Sequence, residues 1–267
     1  MLRGERARAL LLERIAVRPE DRNPDPLPLR LLGKGTAGFR GSPSTLWGMA
    51  MGLCVAGREV TDPVSLWRDY ARRYPRTISE YDLGPAGEPD TLTLDEVLRM
   101  RVFNSSISDG EAKELAERGA EPRCPWEDVP PGEGLIRADP DIPHGLFDKA
   151  ARLYWHFTSD RISRVRIAKV HKALHVKRPD MYPILDDRLR KLYSDRATLW
   201  VGKLARLHVT IDDSAPYWAA IRQDLVGNEA ELDDYRCQLA AEPDETIQQM
   251  AGLSKLRLLD IVAWMTC

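Results

Sequence analysis

Six prolines fall within the 24 residues EPRCPWEDVPPGEGLIRADPDIPH, from Glu121 to His144, and no other feature limits the possible folds as strongly. A proline has no backbone N–H and its ring obstructs the preceding turn, so this stretch forms neither a regular helix nor a central strand. It divides the chain into an N-terminal part, 1–143, and a C-terminal part, 144–267, expected to be two helical lobes. A long ordered loop of this kind serves as a lid or binding loop, or as a surface connector packed down by apolar anchors, here Trp126 and Leu135.

Outside that loop helical signals dominate, and no segment sustains the apolar–polar alternation of a half-buried strand. The predicted class is all-α, a compact multi-helix protein. Residues 5–16 form a first helix, and PEDRNPDPLPLR, 19–30, a stiff linker. Gly33–Ser42 is glycine-rich but lacks the Lys-Ser/Thr ending of a P-loop and reads as a turn. Ser44-Thr45 caps a predicted helix through LWGMAMGLCVAG, and Asp62-Pro63 starts another through VSLWRDYARRY. Thr93 with Glu96, and Ser108 with Glu111, satisfy the capping-box pattern and open helices of about three turns. Leu146, Phe147, Ala150, Leu153, Tyr154 and Phe157 form the stripe of a core helix. Helices are further predicted over 163–177, 184–193, 215–226 and 229–240, and a buried C-terminal helix over SKLRLLDIVAWMTC, capped by Ser254.

Charge is segregated along the chain. Residues 160–206 carry thirteen Lys and Arg against five Asp and Glu, a local charge of +8 in a chain whose net charge is −2. Asp224–Gln248 holds eight acids against one base, the pattern of an acidic face. The basic block predicts a surface for a polyanion, with Lys169, Lys172, Lys177, Arg178, Arg188, Arg190 and Lys191 as phosphate contacts. Self-association through the two oppositely charged segments is a rival use of the same block.

Within the block, Arg178-Pro179 and Tyr182-Pro183 break the chain and aim the following helix. Asp186 and Asp187 fall in its first turn. An acid there stabilises the helix dipole by roughly 0.3–1 kcal/mol, which accounts for Asp187. With Ile184, Leu185, Leu189 and Leu192 facing the core, Asp186 points towards the preceding basic helix. A carboxylate held among cations suits stabilisation of a developing cation or activation of water, and equally a structural salt bridge to Arg178 or Lys169. Trp126, Tyr154, Trp155 and Tyr182 flank the block and are candidates for stacking a base, although large aromatics are mainly core residues. His171 and His175 share a helix face, the spacing of a two-histidine metal site, without the glutamate of an HExxH motif. They are expected to be surface histidines, and no metal or cofactor is assigned.

KVHKALHVKRPDMYPILDDRLRKLY, LSKLRLLDIVAW and TISEYD (77–82) together resemble a bacterial family of unknown function found mainly in high-GC Gram-positive genomes. The likeness runs from about residue 77 onward, with the KRPxxxPxxD core, Lys177 to Asp186, its most specific piece. The same region is similar to the helix-hairpin-helix DNA glycosylases, in which a proline-aspartate turn opens a helix followed by basic residues. That resemblance implies a DNA-repair hydrolase of monofunctional type, with Asp186 as catalytic carboxylate and Lys169 or Lys172 nearest the place of a Schiff-base lysine. Two departures stand out: SDRISRVRI contains no glycine where the hairpin of those enzymes is glycine-rich, and their iron–sulfur cysteines are absent. The alternative is a non-enzymatic helical module that grips DNA, RNA or an acidic protein with residues 160–206.

The four cysteines are far apart in sequence and read as reduced thiols of a cytoplasmic protein. No apolar run approaches the roughly 20 residues of a membrane helix, and no membrane partner is expected.

Overall fold

A computed structural model of the chain describes residues 52–103, 105–159, 165, 167–206 and 214–267. The helix expected at 5–16, the linker at 19–30, the glycine-rich turn at 33–42, the Ser44-Thr45 cap and most of SDRISRVRI lie outside the described residues. The described residues form one compact unit.

The fold is mainly helical, as the sequence predicts, with one correction at its start. Instead of continuing a helix, Leu53–Val55 (β1) and Arg58–Val60 (β2) pair as an antiparallel hairpin in the register Leu53↔Val60, Val55↔Arg58. Its two-residue turn holds both Ala56 (φ 50°) and Gly57 (φ 78°) in the left-handed region that a tight hairpin turn requires. Three-residue strands around Ala-Gly are too short to show alternation. The hairpin is pinned from outside, because the Asn228 side chain bonds both the N–H and the C=O of Cys54, at 2.7 and 2.8 Å.

Helix α1 (Pro63–Arg73) starts where predicted: Asp62 accepts from Ser65 N–H and Pro63 occupies the first turn. A π-helical turn over Thr77–Asp82 follows. Both capping boxes form. Thr93 and Glu96 open α2 (Leu94–Leu98), which tightens into a 3₁₀ turn at Arg99–Phe103, and Ser108 and Glu111 open α3 (Asp109–Gly119). The proline-rich stretch lies packed as a connector, with Trp126, Val129, Leu135 and Ala138 buried.

The C-terminal half comprises α4 (Leu146–Thr158), α5 (Ile167–Lys177), α6 (Asp187–Val201), α7 (Ala215–Gly227), α8 (Glu229–Ala240), α9 (Glu245–Gln249) and α10 (Lys255–Met265). Helix α6 begins three residues later than predicted, because the segment after Pro183 stays extended and Asp186 is the N-cap, with Asp187 first in the helix. Helix α10 is buried along nearly its whole length and packs against α1, α6, α7, α8 and β1. A second focus is Trp218, whose ring meets those of Phe147, Tyr154, His171 and Tyr182 at 5.1–6.1 Å. Among the described residues no helix is long and apolar enough to cross a membrane.

Helix α5 is where expectation and structure differ most. It is a core helix, with His171 and His175 0% and 2% exposed rather than on the surface. Their rings are fixed by hydrogen bonds: His171 Nδ1 to Ile167 O at 2.9 Å, Trp218 Nε1 donating to His171 Nε2 at 2.8 Å, and His175 Nδ1 to Tyr182 O at 2.8 Å. Burial pushes both imidazoles down to about 3, so they are neutral.

Candidate functional site: an aromatic pocket with lysine and two aspartates

Residues of α1, the π-helical turn, the turn ending at Phe103, α5, the run from Ile184 to Leu189 and α10 meet at one cavity of about 200 Å³. An engineered protein cavity of about 150 Å³ admits benzene, so this space suits a planar ring. Helix α10 supplies Arg257, Asp260, Ile261 and Trp264, the i, i+3, i+4, i+7 positions of one face. Tyr70 and Tyr74, one turn apart at the end of α1, form an aromatic corner with Trp264, their rings lying 5.0–6.4 Å apart. Phe103, Lys172 and Asp186 complete the polar and aromatic lining used below.

Asp186 owes its position to the proline breaks. Arg178 closes a turn by accepting from Met181 and Tyr182 N–H, Pro183 keeps the next residues extended, and the chain enters α6 with Asp186 as N-cap. Its Oδ1 accepts from Arg188 and Leu189 N–H at 2.9 and 3.0 Å, and its Oδ2 from Trp264 Nε1 at 3.2 Å. The capping role and the pocket role coincide in one carboxylate.

Lys172 reaches the cavity from α5. Its ammonium lies 4.5 Å from the centre of the Phe103 ring and donates to Phe103 O at 3.2 Å. Burial pulls it down to about 8, opposed by the Asp186 carboxylate.

Arg257 is anchored rather than free. Its Nε and Nη2 donate to the two oxygens of Asp82 at 2.8 and 3.2 Å, and Nη2 donates to Tyr70 Oη at 2.7 Å. Burial works against the charge of this guanidinium, and the Asp82 carboxylate, with the other groups around it, more than offsets that cost. The π-helical turn provides the geometry, ending with Asp82 beneath α10 while Tyr81 Oη donates to Lys172 O at 2.9 Å. Asp260, one turn beyond Arg257, is 2% exposed and accepts from Ile184 N–H at 2.7 Å. Burial, reinforced by Asp186 and Asp82, raises it to about 7.

The other sequence candidates are distributed differently. Lys169 pairs with Glu111 at 2.7 Å. Lys177 is buried against Glu96 and Glu88 O, and Arg178, 2% exposed, bonds Val129 O, Pro89 O and Asp90. These three hold the fold instead of facing solvent, since the glutamates of both capping boxes and a loop aspartate reach them first. Arg188 and Lys191 are exposed and Arg190 is half-buried over Tyr217. Arg188 covers one face of Trp264 at 4.7 Å, and together with Lys191 and the exposed Arg58 it acts electrostatically on the Cys267 thiol, so cations gather at the Trp264 end of α10. Trp126, Tyr154 and Tyr182 are core residues whose polar atoms bond Gly119 O, Ser214 Oγ and Ala150 O; Trp155 is exposed. The aromatics that do line the cavity, Tyr70, Tyr74, Phe103 and Trp264, were not singled out as site residues from sequence. Neither were Arg257 and Asp260, although two charges three apart in so apolar a helix as α10 were a readable sign.

Residues 64–267 match DUF6308, described as a family of unknown function. The chain belongs to this family. The DUF6308 span contains every residue that lines the pocket: TISEYD brings Thr77 to the lining and Asp82 to Arg257, the lysine-to-aspartate stretch brings Lys172 and Asp186, and the C-terminal helix brings Arg257, Asp260 and Trp264. No curated protein and no solved structure gives a significant match to the chain.

Proposed function

We propose that this DUF6308 protein cleaves the N-glycosidic bond of a nucleotide flipped from DNA into the aromatic pocket, as a glycosylase. The observation that carries the reading is that Lys172 and Asp186 line one aromatic cavity of nucleobase size. Base release passes through a cationic sugar, which a fixed carboxylate stabilises while it receives the proton of the attacking water. Asp186 is such a carboxylate, oriented by three N–H donors. Tyr70, Tyr74 and Trp264 would hold the base by its faces. Arg188, Lys191 and Arg58 are the exposed cations placed to bind phosphates near the Trp264 end. Three phosphate contacts give a log–log salt slope of about −3.

The test compares wild type with Asp186→Asn. Asparagine keeps the helix-capping acceptor for Arg188 and Leu189 N–H and gives up only the bond from Trp264 Nε1, so the fold is retained. Binding is measured on a duplex containing a stable abasic-site analogue across a salt series, and base release on duplexes carrying damaged bases. The expected result is a fall in base release of at least about 100-fold with binding unchanged. Binding by wild type without release of any base would favour the non-enzymatic module. Absence of binding at low salt would sink both nucleic-acid readings.

A further inference from the structure

The pocket holds a second carboxyl whose surroundings differ from those of Asp186. Both oxygens of Asp186 accept N–H groups, which commits it to the role of acceptor. Asp260 accepts Ile184 N–H on Oδ2 while lining the same cavity. We propose that Asp260 is the proton donor of the site, delivering its proton to the leaving nitrogen of the base; this rests on the glycosidic reading above. The C1′–N bond breaks with its electron pair going to nitrogen, which takes the Asp260 proton. Water forms the new C1′–O bond and passes its proton to Asp186, and exchange with solvent restores both carboxyls. The net reaction consumes one water and yields the free base and an abasic sugar.

Burial favours Asp260 keeping its proton, against the pull of Ile184 N–H and of the Arg257 guanidinium. Arg257, on its own helix, is committed to Asp82 at the end of the π-helical turn. Asp186 at the start of α6 and Asp82 both act on Asp260 as like charges. Tyr193 on α6 also senses it electrostatically, and burial keeps that phenol neutral. Tyr70 on α1 is neutral too, raised to about 12 by burial. Lys172 on α5 and the Tyr74 phenol at the end of α1 also line the cavity, and the Lys172 ammonium is tethered to Phe103. Burial then places Asp260 at about 7, close to the value at which a general acid is most effective at neutral pH.

Two substrates separate this role from a structural one. A neutral damaged base must be protonated to leave, whereas N7-methylguanine, already positively charged, departs without a donor. Asp260→Asn, which keeps the acceptor for Ile184 N–H, is expected to lower kcat on the neutral base at least about 100-fold while sparing N7-methylguanine release and binding to the abasic duplex. Wild-type activity on the neutral base should fall as pH rises through about 7, a limb absent with N7-methylguanine; this profile needs no variant. Asp260→Glu should recover part of the lost rate. Equal loss on both substrates, or no loss on the neutral one, overturns the assignment of Asp260 while wild-type release keeps the glycosidic reading intact. If wild type releases neither base, both are overturned.

Discussion

The Glu96 carboxylate has several duties. It closes the capping box on Thr93, accepts Gly87 N–H at 3.1 Å and faces Lys177, with both side chains of that ion pair under 8% exposed. A buried pair adds little over an apolar replacement, but breaking it strands a charge and costs about 3–5 kcal/mol. Glu96→Gln preserves much of the capping geometry and removes the charge, so urea unfolding should show a loss of about 3 kcal/mol. Adding Lys177→Met should restore much of it; losses that simply add would mean that the two side chains are not coupled. The same pair shows what a sequence conceals at this scale. Lys177 and Arg178 belong to a basic run and resemble phosphate ligands until Glu96 and Asp90, more than eighty residues away, are brought beside them. Asp186 was legible because prolines fix its surroundings locally. Asp260 and Arg257 were not, because their meaning depends on Ile184 N–H and Asp82 arriving from distant segments.

Among the elements, helix caps and periodic stripes could be read directly: Asp62, Thr93, Ser108 and Ser254 all cap as their spacing predicts. The hairpin could not, since its strands are held from outside. Asn228 stands in for a third strand by bonding Cys54 N–H and C=O, and Asp224 accepts Ala56 N–H while pairing with Arg196 at 3.3 Å. Removing a buried amide that satisfies several backbone groups costs about 1–3 kcal/mol. Asn228→Ala should lower the unfolding midpoint accordingly, and hydrogen exchange should speed up in residues 53–60 well before the helices respond. Uniform acceleration across the whole protein would instead assign Asn228 to the junction of α7 and α8.

At the scale of the whole molecule, the basic run of the sequence does not become one basic surface, because α5 lies in the core and two of its lysines pair with glutamates of α2 and α3. What burial leaves there is a set of displaced titrations with opposite signs. His171 and His175 sit at about 3 in the folded protein and at about 6.5 when unfolded, so below pH 6.5 the unfolded chain binds two more protons than the folded one. Asp260, at about 7 folded and about 3.9 unfolded, works the other way and holds one extra proton in the folded state. Between pH 5 and 6 the two histidines favour the unfolded chain, and Asp260, with Asp82, Asp180 and Asp224 raised by burial in the same sense, opposes them. His175→Asn removes one of the two histidine contributions and should lower the pH slope of stability there by roughly 1.4 kcal/mol per unit relative to wild type. Lys172, at about 8 folded and about 10.4 unfolded, contributes a rise in stability between those values, opposed by the Cys124 thiol that burial raises to about 12, so the difference between wild type and Lys172→Met isolates it. Urea midpoints of wild type and both variants from pH 5 to 10 read these differences, and a His175→Asn slope equal to that of wild type between pH 5 and 6 would rule out a neutral His175 in the packing of α5.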